Sequence, residues 1–144
     1  MTDIGKALAT LYFAKFPHDP SLVDEALAPD FVFHHLRVVA GPEAFRTFMA
    51  DVSRAFPDFR FDVHHLIDAG ELVAAHYTFS GTQRGLFMDV VPSRGKRFAT
   101  RGMSLYRVEA DRIAEIWVAF NSLSMMQQLG AVPELDANVE RLRN

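Results

Sequence analysis

The run Ile113-Ala114-Glu115-Ile116-Trp117-Val118-Ala119-Phe120-Asn121, followed at once by Ser122-Leu123-Ser124-Met125-Met126-Gln127-Gln128-Leu129-Gly130, limits the possible folds more than any other stretch. Its first half is β-branched and aromatic and long enough to cross a sheet. Its second half consists of helix formers that stop at a glycine. The pattern predicts a strand that feeds straight into a short helix. Alternation puts Glu115, Trp117, Ala119 and Asn121 on one face and Ile116, Val118 and Phe120 on the other. Both faces are largely apolar, so each demands a cover. Asn121 ends the Trp117 face where the chain bends away, and a pocket mouth is expected there, with Trp117 and Asn121 sharing one cavity.

Upstream, Ile4, Ala7, Leu8, Leu11 and Tyr12 recur at helical spacing and predict an amphipathic helix from about Asp3 to Lys15, ended by Pro17. Asp19 is placed to cap a second short helix, with Pro20 in its first turn, running through Val23 and Leu27 to Pro29. Asp30 to His35 is the first expected strand. Phe45, Phe48, Met49, Val52 and Phe56 form the clearest helical stripe in the chain, closed by Pro57. Phe59 to Ile67 alternates as a half-buried strand does, and Asp68-Ala69-Gly70 links it in a hairpin to Glu71–Ser80. Leu86 to Val91 is a candidate short strand. Arg97 to Val108 should pair with the last strand through Glu109-Ala110-Asp111. Helices first and hairpin-linked strands after them define an α+β class: a curved, mostly antiparallel sheet wrapped over three helices of the N-terminal half. Residues 1–144 are expected to form one domain, with 131–144 a peripheral tail.

Composition excludes several functions. There is no cysteine, so thiol chemistry, disulfides and thiolate zinc sites are out. Net charge is −3, and the nearest approach to a basic cluster, Arg94, Lys96, Arg97 and Arg101, reads as a solvated hairpin, so nucleic acid is not an expected partner. Met1-Thr2-Asp3 lacks a basic leader and no apolar run is long enough to span a bilayer, which points to a cytoplasmic protein without membrane partners. Thirteen phenylalanines suit a deep core or a greasy cavity. Strand residues Val73 to Phe79 are apolar on both parities, which predicts that the outer sheet face meets another copy in a homodimer or higher homo-oligomer.

The closing stretch, read as Ile-x-Glu-x-Trp and then a helix ending Gln-Gln-Leu-Gly, resembles the corresponding motif of the SnoaL-like polyketide cyclases and their ester-cyclase relatives. Four further segments resemble that family in order: Asp30-Phe31-Val32-Phe33-His34, Gly41-Pro42-Glu43-Ala44-Phe45, Phe56-Pro57-Asp58, and Gly81-Thr82-Gln83. Arg112-Ile113-Ala114-Glu115 extends the closing motif at its start. The resemblance implies a cone-shaped α+β fold with a central pocket, of the superfamily that holds ketosteroid isomerase and scytalone dehydratase. It also implies aldol ring closure by proton transfer, with no metal or organic cofactor. In the family the position of Asn121 is an aspartate acid/base, that of Gln83 a histidine, and that of His35 an aspartate.

An amide cannot accept the substrate's proton, so Asn121 is read either as an oxyanion donor or as the cap of the following helix. His34 is the first choice of substitute base, against a plain cross-sheet hydrogen bond, and His76 the second. Trp117, Tyr12, Phe48, Phe120 and Gln83 are candidate substrate contacts, the aromatics being core residues first and walls for a flat ligand second. The doublets His34-His35 and His64-His65 give no metal site by this reading, because adjacent strand residues point to opposite faces. The expected function is a cofactor-independent enzyme acting on a small hydrophobic carbonyl compound, of cyclase or isomerase type. The competing reading is a protein that binds a hydrophobic small molecule without converting it.

Overall fold

The computed structural model describes residues 19–35 and 37–133. The helix expected over residues 3–15, the pocket contact Tyr12 and the tail beyond Pro133 lie outside them. A 3-10 turn, Pro20–Leu22, leads into α1 (Val23–Ala26), then β1 (Leu27–His34), β2 (Val38–Ala40), α2 (Pro42–Ala55), β3 (Arg60–Asp68), β4 (Leu72–Thr82), β5 (Arg97–Glu109), β6 (Arg112–Phe120) and α3 (Ser122–Gln128). The sheet order is β2-β1-β6-β5-β4-β3. Every neighbouring pair is antiparallel except β1 and β6, which run parallel. The fold is thus α+β with a mixed six-stranded sheet. No helix among the described residues is long and apolar enough to cross a membrane.

Local chemistry accounts for most boundaries. Asp19 accepts a hydrogen bond from the Ser21 amide at 3.1 Å and starts the first turn. The second helix is shorter than its spacing predicts. Leu27 is already extended, at φ −103° and ψ 141°, and joins β1. Pro29 therefore sits inside a strand instead of ending a helix, and it does so where the β1/β6 register shifts between Leu27 and Val32, an irregularity that tolerates a missing N–H. Helix α2 starts with Pro42 at its first turn and buries Phe45, Met49 and Val52 of the predicted stripe, together with Ala55; Phe56, just past its end, is buried too, and Phe48 is half-buried. Leu86 to Val91 is a tight turn closed by one bridge, Phe87 to Val91, with Met88 and Asp89 at positive φ, and not a strand. The three-residue edge strand β2 falls in a segment that carries no periodicity.

Among the described residues the helices cover one face of the sheet. That inner face carries Phe31, Phe33, Tyr77, Phe79, Phe98 and Ile116, all buried. On β6 it is the Ile116, Val118 and Phe120 parity that points inward, whereas Trp117 is 37% exposed and Ala119 and Asn121 are also exposed. The expectation that Trp117 and Asn121 face a common cavity is therefore overturned. Both parities of β6 are apolar enough to be core, and only the side on which α2 packs decides between them.

A second departure lies on β3. The β3/β4 register slips between Val63 and His65, so that one extra residue is accommodated on β3. As a result His64 Nε2 meets Thr78 Oγ1 at 2.7 Å while His65 Nδ1 meets His76 Nδ1 at 3.1 Å, both on the outer face. The rule that neighbours along a strand point apart fails at this bulge.

Candidate functional site

Beneath the inner face lies a half-open apolar pocket of about 70 Å³. Fourteen of the described residues line it; eight of these are phenylalanines, and the polar ones among them are His35 and Tyr77. Strand alternation places His35 there, since it follows Phe31 and Phe33 on the same parity. Its ring packs at 4.8 Å from Phe120 and 5.8 Å from Phe33, centroid to centroid, with Phe48 at 6.4 Å. Burial in these surroundings pushes the imidazole down from 6.5 to about 4, so it is uncharged at neutral pH. Tyr77 shares a 2.7 Å hydrogen bond with Ser104 Oγ, and burial, only partly offset by that bond, pushes its hydroxyl up to about 12. Gly102 makes room for this pair: a Cβ there would lie 2.9 Å from the Tyr77 ring.

At 70 Å³ the space would hold about two water molecules, far below the several hundred Å³ of a typical ligand site. Phenylalanine rings fill most of the hollow that the sheet encloses. A polar cleft of about 350 Å³ adjoins it, lined by Arg37, Asp51, Arg54 and Asp89 among others, and the two share Phe48, Val52 and Phe87 as walls.

The sequence-derived candidates separate into three groups. Phe48 and Phe120 line the space. His34, Trp117 and His76 lie on the outer face instead. The His34 ring stacks on Trp117 at 5.4 Å and 5°, and its Nε2 lies 2.6 Å from Glu115 Oε2. Arg107 bonds the other oxygen of Glu115 at 3.1 Å, and the His34 bond, followed by Arg107, holds the Glu115 carboxyl below its usual range. This part-exposed chain of ion pairs is worth little to stability. Asn121 and Gln83 serve the backbone. Asn121 Oδ1 accepts from the Ser124 amide at 2.9 Å and caps α3. Gln83 is fully buried, and its Nε2 donates to the carbonyls of Gly85 and Val91 at 3.0 and 2.8 Å, pinning the turn between them. Its Oε1 has no partner among the described residues. It is His35, not its neighbour His34, that faces the space, and its shared parity with Phe31 and Phe33 is the sequence signal for that placement.

A curled sheet closed on one side by a helix, with an apolar hollow between them, defines the cone-shaped α+β class. Residues 7–129 match the family model for SnoaL-like polyketide cyclases, and the chain belongs to that family. Among solved structures, TsrD from Streptomyces laurentii is 25% identical with a TM-score of 0.82, over 92% of this chain and 98% of that one. IdmH from Streptomyces antibioticus, a candidate polyketide cyclase, is 28% identical with a TM-score of 0.73, over 90% and 99%. AclR from Streptomyces galilaeus, a candidate hydroxylase, is 26% identical with a TM-score of 0.75, over 90% and 86%. No curated protein matches the chain.

Proposed function

We propose that this chain is a cofactor-independent enzyme that moves a proton on a small, mostly hydrophobic carbonyl compound, by ring closure of the polyketide-cyclase type or by isomerisation, with His35 as the base. The observation that carries this reading is an uncharged imidazole facing a space whose described lining is apolar apart from Tyr77. A neutral imidazole accepts a proton from a carbon flanked by two carbonyls, and the electron pair moves to the carbonyl oxygen as an enolate. The imidazolium and enolate attract strongly in a dry site, which restores the basicity that burial takes away from the empty site. Tyr77, kept protonated by burial, is the candidate donor to the enolate oxygen. Ring closure then ends with the imidazolium returning its proton to the oxygen of the attacked carbonyl. Substrate enters from the adjoining cleft by displacing the shared walls Phe48 and Phe87.

The test follows proton exchange into deuterated water by NMR, using small β-diketones and β-ketoesters, for the parent and for His35→Gln, His34→Ala and Asn121→Asp. His35→Gln should lose at least about a hundredfold, the low end of a general base's contribution, while the other two exchange like the parent. Parent-like exchange by His35→Gln, or loss in His34→Ala, refutes the assignment. The second reading, binding without conversion, draws on one specific observation: an imidazole held at about 4 in the empty site is a feeble base until a substrate charge develops beside it. Saturable binding of an apolar ketone with no exchange and no product by mass spectrometry would favour it.

We also propose that the outer sheet face pairs with a second copy of the chain. Leu72, Met103 and Trp117 stand 39%, 58% and 37% exposed on β4, β5 and β6, beside the Arg107–Glu115 ion pair, which a two-fold axis would bring opposite its own counterpart.

A further inference from the structure

The bulge on β3 gathers three imidazoles on the outer face beside the free edge of the sheet, and none of them takes part in the chemistry proposed above. We propose that they form a chelating site for a borderline divalent ion of the Zn²⁺, Cu²⁺ or Ni²⁺ kind, with His65 and His76 as the primary pair and His64 as the third ligand. Two nitrogens bound to one such ion at its usual distance lie roughly 2.9 Å apart at a right angle and roughly 3.4 Å apart in a tetrahedron. His65 Nδ1 and His76 Nδ1 already stand 3.1 Å apart. Their rings are within 17° of parallel, so a turn of each about its soft terminal torsion aims both lone pairs at a common point.

The third imidazole is prepared for the same role. The 2.7 Å contact of His64 Nε2 with Thr78 Oγ1, made with the nitrogen as donor, leaves a lone pair on Nδ1. A metal-bound histidine commonly donates its other N–H to an oxygen in this way, which fixes the tautomer and the ring orientation. The His64 ring centroid is 5.4 Å from that of His76, within reach of a shared ion. Asp62, two residues before His64 and bonded to Arg60, adds a carboxylate whose charge interacts with His64. Arg101, opposite Thr78 in the β4/β5 register, is the cation that limits affinity. No three His, Cys, Asp or Glu side chains among the described residues stand preassembled around one point. The site is a ready pair that recruits its third member, and the ion would lock the bulged edge strand to β4.

The full chain, stripped with EDTA, is titrated calorimetrically with ZnCl2, NiCl2 and CuCl2, and its melting temperature is followed in parallel. One ion per chain at micromolar affinity is expected, with a melting temperature that rises with ion concentration, as mass action requires. Copper should give an electron paramagnetic resonance spectrum with at least two nitrogen ligands. His76→Ala should weaken binding more than about thirtyfold, and His64→Ala, which removes the third and recruited ligand, at least about tenfold. His65→Gln, which keeps a polar side chain on the bulge, should behave like His76→Ala and guards against a folding defect in either. Absence of binding by all three ions, or parent-like binding by both His76→Ala and His65→Gln, overturns the site and leaves a plain histidine–histidine hydrogen bond.

Discussion

At the scale of single residues, His35 ties the chemistry to the stability. Its imidazole titrates near 4 when folded and near 6.5 when exposed, so between those values the unfolded chain binds more protons. The contribution is complete above pH 6.5 and is lost as pH falls from there to about 4. Discounted for the ring's partial exposure, the loss is on the order of 2 kcal/mol. Urea unfolding at neutral and mildly acidic pH should show the parent losing that much more than His35→Leu over the interval. Equal pH dependence would mean that the ring is hydrated. Gly102 is the other sensitive position. Its Cβ would strike the Tyr77 ring at 2.9 Å, so Gly102→Ala should cost about 1–3 kcal/mol, as overpacking does, and break the bond to Ser104. Thermal unfolding checks the first effect and the near-ultraviolet tyrosine signal the second. An unchanged melting temperature would show that the ring moves freely.

Among the elements, α3 gives the amide at position 121, where the family resemblance implies an acid, a structural task of its own. Asn121 ends β6 and immediately caps α3, and Gln128 at the other end of the helix exchanges two hydrogen bonds with the backbone of Ala99 on β5, at 2.9 and 3.0 Å. The short helix is therefore tied to the sheet at both ends. Removing the cap in Asn121→Ala should cost about 1 kcal/mol, while Asn121→Asp, an equally good cap, should leave the melting temperature within a degree or two of the parent. A large loss in Asn121→Asp would reveal a negative neighbour that the geometry does not contain. Helix α2 and strand β3 show how far periodicity carries at this scale. The α2 stripe was legible because each apolar residue recurs on a 3.6-residue period, and Phe45, Met49 and Val52 are buried as that period requires. The β3 alternation was legible up to Val63 and failed beyond it, because a bulge adds a residue without changing composition.

For the molecule as a whole, the helices of the described residues pack on one side of the sheet, and among those residues the other side carries large exposed apolar side chains. If that face is the contact between two copies, light scattering at micromolar concentration gives twice the chain mass, and Trp117→Lys with Met103→Glu halves it while leaving the circular dichroism spectrum unchanged. A parent of single-chain mass under those conditions refutes the pairing. The arrangement also separates two kinds of histidine: His35 in the apolar pocket of the inner face, the other five either on or beside the outer face or outside the described residues.

By itself the sequence determined the class of fold, the order of its longer strands, the long α2 helix and the strand-to-helix step at Asn121, since each follows from local periodicity and capping chemistry. Five short resemblances in order placed the family. Only the tertiary structure decided which face of β6 is inside. Trp117 with Ala119, and Val118 with Phe120, are equally apolar as patterns, and the choice belongs to a helix sixty residues away in the chain. That choice moves His34 out to Glu115 and Trp117, brings His35 in among phenylalanines, and, with the bulge on β3, turns a histidine doublet from opposed neighbours into a cluster.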